Sequence, residues 1–164
     1  MTATFRALCA ATLLPFATVA ALAAEPACEP IVKASLAGPQ QSARHRVSMG
    51  DTVIESVMLK DAMFMREAPT APWRRVPMDG AKRRAMAEQA LAMLPFSQCT
   101  GPVFETRGGV AMAVYSYRQA NPLTPGKLDL SRIWIGRDDG LPRRLESDGG
   151  GVAEIEYGDF KAPQ

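Results

Sequence analysis

One histidine, His45, and three cysteines are all that 164 residues contain of those two types. A single imidazole excludes a two-histidine metal site within one chain, and as a base it would stand without its usual partners. No CxxC occurs, which excludes dithiol redox chemistry of that kind. The serines are scattered with no GxSxG elbow, and neither a Walker A loop nor a GxGxxG is present. Gly108-Gly109, in RGGVAMAVYSY, lies between strand patterns rather than before a helix, so it is no phosphate cradle. This inventory recommends neither an enzyme nor a cofactor. A dominant charge is missing too: 19 basic residues face 17 acidic ones, for a net charge of +2. The two signs are interspersed, which leaves no footprint for nucleic acid and no basic block for anionic lipid.

What is there begins with a leader. MTATFRALCAATLLPFATVAALAAEPAC sets Arg6 before an apolar run that ends in the small residues ALAA. That is the pattern of a signal peptide cleaved after Ala23 or Ala24. The run is short, contains Pro15 and lacks a basic stop, so it does not read as a membrane anchor. Cys28 follows EPA without the small apolar residues that should precede a lipidated cysteine. The expectation is residues 1–24 as signal and 25–164 as a single periplasmic domain with no stable membrane insertion. Cys9 leaves with the leader. Cys28 and Cys99 should then pair in an oxidising compartment, the alternative being two buried thiols. A bridge across so long a loop would stabilise the fold by about 4 kcal/mol on the chain-entropy model.

Periodicity organises the rest. CEPIVKASLAGPQQ predicts a short helix, with Pro30 in its first turn and Gly38-Pro39 as its stop. SARHRVSM alternates, placing Ala43, His45, Val47 and Met49 on one side. TVIESVML and AMFMRE follow, and PWRRVP reads as a short edge strand between prolines. DGAKRRAMAEQALAML has helical spacing, capped by Asp79 and ended by Pro95. Its Ala85, Met86, Ala90, Met93 and Leu94 are expected inside, with Lys82, Arg83, Arg84, Glu88 and Gln89 outside. PVFETR, GVAMAVYSYRQ, KLDLSRIWIGR, LPRRLES and VAEIEYGDF complete the strands. The fold class is therefore α+β: a curved, mostly antiparallel sheet of about eight or nine strands, an incomplete barrel. One long and one short helix would pack on its concave face.

Each residue that might carry chemistry has a plainer reading. Asp138 and Asp139, among Arg137, Arg143 and Arg144, look like paired carboxylates, yet RDDG between two strand patterns has turn chemistry. Adjacent aspartates at a tip lack the two separate environments an acid and base pair needs. The arginines and Glu146 then read as cross-strand charge pairs. Met63-Phe64-Met65 beside Met49 and His45 offers soft ligands for Cu(I), against adaptable core filling. Met58, Phe64, Met65, Trp73, Tyr115, Tyr117, Trp134 and Tyr157 are either core or the lining of a ligand cavity.

ESVMLKDAMFMRE, PWRRVP, IWIGRDDGLPRRLES and AEIEYGDFKAP together resemble the periplasmic lipoprotein-carrier superfamily, the LolA/LolB-like half-barrels. The resemblance spans most of residues 42–163. It implies an antiparallel half-barrel, closed by helices over an apolar cavity that holds acyl chains. The chain is shorter than such carriers and keeps only nine aromatic residues beyond the leader. The reading is a non-catalytic periplasmic protein that binds a lipid, an acyl chain or a lipidated partner. An interaction module that docks on an envelope protein is the alternative, and Cu(I) handling through methionines is a second.

Overall fold

The computed structural model describes residues 25–164 except 122, 123 and 125, so the expected signal peptide lies outside the described residues. In chain order the elements are α1 (Glu29–Ala37), β1 (Ala43–Met49), β2 (Thr52–Met58), β3 (Met63–Arg66), β4 (Arg74–Val76) and α2 (Gly80–Met93). They continue with β5 (Ser97–Arg107), β6 (Val110–Ala120), β7 (Leu128–Gly136), β8 (Pro142–Ser147) and β9 (Gly151–Tyr157). A 3-10 turn, Pro26–Cys28, leads into α1, and another, Gly38–Gln40, follows it.

Among the described residues nine strands form one sheet in the order β4-β3-β2-β1-β9-β8-β7-β6-β5. Every neighbouring pair is antiparallel. Two meanders, β1–β4 and β5–β9, are joined where β9 returns to pair with β1 along its whole length. The ends do not meet: β4 and β5 are the two edges. The sheet is curved, since Arg107 on β5 comes within 4.0 Å of Glu154 on β9, four strands away. Strands spaced about 4.8 Å apart in a flat sheet would not allow that contact. This is the open α+β sheet expected from the sequence.

The register sorts side chains onto two faces. Ala43, His45 and Val47 lie across from Tyr157, Ile155 and Ala153 on one face. Leu145, Ile133 and Tyr115 continue that face through β8, β7 and β6. It is the helix face. Its core joins Cys28, Ile31 and Ala34 of the α1 region to Phe96, Cys99, Tyr117, Ile133 and Ile135. The Cys28–Cys99 disulfide, expected from composition and compartment, ties the start of α1 to β5 across 71 residues of sequence. The other face carries Trp134, Arg144 and Glu154 in cross-strand register. Arg144 donates from Nε to Glu146 at 2.7 Å along its own strand and pairs across the strands with Glu154, so the cross-strand partner is Glu154 and not the expected Glu146.

One expectation fails on α2. Arg83, expected outside, is only 5% exposed, whereas Met86 and Met93, expected inside, are 56% and 65% exposed. Ala85 and Ala90 are exposed too, while Leu94 is half-buried. The cause is hydrogen bonding. Arg83 donates from Nε to the Pro39 carbonyl at 2.8 Å and from Nη1 to the Met78 carbonyl at 2.7 Å. Those carbonyls in the connecting turns need donors, and the aliphatic stem of arginine tolerates burial. α2 therefore packs on α1 and the Gly38–Gln40 turn through its arginine side. Asp79 caps the helix as expected, accepting from the Lys82 N–H at 2.8 Å.

Candidate functional site

Along one side of α1 the helix and sheet do not close up, because small residues face each other. Pro30, Lys33, Ala34 and Ala37 recur at helical spacing, so they share one face of α1. Opposite them stand Ala113 and Tyr115 of β6 and Ile135 of β7, and between lies an open-mouthed cleft of about 450 Å³. Alanine over alanine leaves this room, since neither side chain can fill the gap. Its end wall is the turn from Gly136 to Leu141. There Asp139 folds back, accepting from the Leu141 N–H at 3.0 Å, and pairs with Arg143. Gly136 leaves room for this: a Cβ there would stand 2.6 Å from the Asp139 carboxylate and push it aside. Gly140 turns with φ +67°. Asp138-Asp139 is thus a turn, as its sequence suggests.

The far end of α1 is set down just as closely. A Cβ on Gly38 would lie 3.0 Å from the Tyr157 hydroxyl and 3.2 Å from Pro142. Burial raises the pKa of Tyr157, with Arg143, stacked 4.7 Å from the ring centroid, pulling the other way. Tyr157 is thereby neutral at any ordinary pH, a packed support and not an acid or base.

The eight aromatic and methionine candidates do not share one cavity. Tyr115 lines the cleft. Tyr117 is core, its ring centroid 4.6 Å from that of Phe96. Tyr157 supports α1, and Met58 and Met65 share the helix face but sit on β2 and β3, beyond β1 and β9. Phe64 pairs with Val57 on the opposite face, where Arg66 stacks on Trp73 at 4.6 Å. Trp134 is on that face too, its indole N–H donating to Glu105 at 2.6 Å. A separate groove of about 310 Å³ runs beside it. What the sequence reading missed is the alanine set, Ala34, Ala37 and Ala113. The signal was present in the helical spacing of α1, but empty space is defined by two elements together and only one was in view.

His45 faces the helix side across from Ser56 and Ile155. Burial, with the Arg83 guanidinium nearby, lowers its pKa from 6.5 to about 4. Met58 and Met63 are cross-strand partners and Met65 is two residues on, so the soft ligands weighed for Cu(I) do share a face with His45. A cation there would have to approach the Arg83 charge. Among the described residues no three His, Cys, Asp or Glu side chains gather into a metal-binding group.

No family model matches the chain, and no curated protein matches it. Solved structures do. The chain is similar to the Mycobacterium tuberculosis lipoprotein LppX, at 12% identity over 84% of this chain and 94% of that one, with a TM-score of 0.44. It is also similar to a LolA superfamily protein from Nitrosomonas europaea, at 10% identity over 85% of this chain and 96% of that one, with a TM-score of 0.27. These likenesses concern the fold alone. Among the described residues no helix is long and apolar enough to cross a membrane.

Proposed function

We propose that this protein is a non-catalytic, exported binder that buries an acyl chain, from a lipid or a lipidated partner, in the cleft between α1 and β6–β7. The observation that carries the reading is the cleft itself: about 450 Å³, roofed by Ala34 and Ala37, floored by Ala113, Tyr115 and Ile135, and open at its mouth. That size falls within the range of small-molecule sites, roughly 300–1,000 Å³. The driving force is burial of hydrocarbon, about 0.8 kcal/mol for each methylene removed from water. No bond is made or broken. The Cys28–Cys99 bridge supports an oxidising, periplasmic setting.

Native mass spectrometry of protein purified from its own envelope tests this. Bound lipid should add mass that delipidation removes, and Ala37→Phe, which fills the cleft, should remove it too. Identical native and delipidated spectra, with no binding of an added acyl chain, would count decisively against the reading. A second reading, docking on an envelope protein, is favoured by the β5 edge, where Val103 and Phe104 are exposed. Val103→Lys should abolish cross-linking to such a partner and leave acyl binding intact.

A further inference from the structure

We infer that the ligand is a single-chain amphiphile with an anionic head group, a carboxylate or a phosphate. The inference rests on the cleft reading above and adds what the mouth of the cleft selects. Phe104, Ala113 and Ile135 are consecutive cross-strand partners on β5, β6 and β7, so their side chains form one row on the helix face. The row starts in solvent, with Phe104 62% exposed, and ends beneath α1. It is an apolar strip running from the sheet edge into the cleft.

Two cations stand where that strip opens. Arg137 places its guanidinium 4.8 Å from the Phe104 ring centroid and lines the cleft. Lys33 lines it from the α1 side. Among the described residues neither has a carboxylate within ion-pair distance. The one acid that lines the cleft, Asp139, is taken by Arg143. Two positive charges without a carboxylate at the lip of a hydrocarbon groove add little to the fold, since exposed charges contribute little to stability. They are placed for a ligand that is apolar along its length and negative at one end. An arginine fork matches a carboxylate or a phosphate oxygen pair. A neutral lipid would leave both cations without a partner.

Calorimetric titration of the oxidised protein with laurate, dodecyl phosphate and dodecanol, each below its aggregation limit, tests the inference. Acetate and inorganic phosphate are run as head groups without a chain. The expected result is that at least one anionic amphiphile binds about tenfold or more tighter than dodecanol, the equivalent of one charge-assisted hydrogen bond. The tighter of the two anions identifies the head group. Lys33→Gln with Arg137→Gln should erase that advantage, read as the ratio of anionic to dodecanol affinity within the same variant. Equal binding of laurate, dodecyl phosphate and dodecanol overturns the anionic head group and leaves the cleft reading standing. So does an advantage that survives in the double variant. If none of the three chains binds, the cleft reading itself falls. Binding of acetate or phosphate as tight as that of the chains would overturn the amphiphile.

Discussion

His45 offers a sharp test of how the helix face is built. In the folded chain its pKa is held at about 4, by burial first and by the Arg83 charge second, against 6.5 in the unfolded chain. Between those values the unfolded chain takes up a proton that the folded chain refuses. Stability that depends on a neutral His45 is therefore fully present above pH 6.5. It is lost as pH falls through the window down to about 4, and is flat below. The gap corresponds to about 3 kcal/mol. Groups that face His45 from neighbouring elements are Ser56 on β2, Ile155 on β9 and Arg83 on α2, and only Arg83 is charged. His45→Gln removes the titration and keeps a polar side chain. Urea midpoints at fixed m-value, taken between pH 7.5 and 4, should show the parent losing about 3 kcal/mol more than this variant. Arg83→Met should raise the His45 pKa, as read by NMR titration of the single imidazole. Parallel stability curves for parent and His45→Gln would refute the account, because the imidazole would then be solvated and remote from the guanidinium.

Other consequences are measurable in the same way. Replacing Cys28 and Cys99 by alanine opens a loop of 71 residues and should lower stability by about 4 kcal/mol in chemical denaturation. Ile133, 1% exposed at the centre of the core, should cost about 2–5 kcal/mol as Ile133→Ala, with the m-value unchanged. Gly38→Ala pushes a methyl onto Tyr157 and Pro142, and should destabilise by about 1–3 kcal/mol. Calorimetric unfolding of Gly38→Ser would show a similar loss if the close approach is the cause.

Alternation in SARHRVSM placed Ala43, His45, Val47 and Met49 together, and the register confirms it, because a strand has only two faces to choose from. RDDG announced its turn through residues that bond their own backbone. Cys28 and Cys99 announced their bridge through compartment and count. α2 was legible as a helix but not as to its inward side. Alanine and methionine give weak periodic contrast, and an arginine buried partly by the Pro39 carbonyl, 44 residues away, leaves little local mark. Trp134, Phe64 and Trp73 lie away from the cleft for a related reason. Aromatic identity indicates that a side chain is shielded but not by what, and here arginines shield Trp73 and Trp134 on the face away from the helices. Of the cleft only Tyr115 stood among the candidates, because the room is left by Ala34, Ala37 and Ala113, which are too small to attract notice.

The bridge between Cys28 and Cys99 encloses α1, β1–β4 and α2 within one covalent ring. A protease that cuts the exposed Pro69–Thr70 segment between β3 and β4 therefore frees no fragment. The two pieces would travel as a single species on a non-reducing gel and separate only when a thiol reductant is added. Such nicked molecules would keep the β5–β9 half fastened to α1, so damage to one meander would not by itself part the helix from the sheet beneath it.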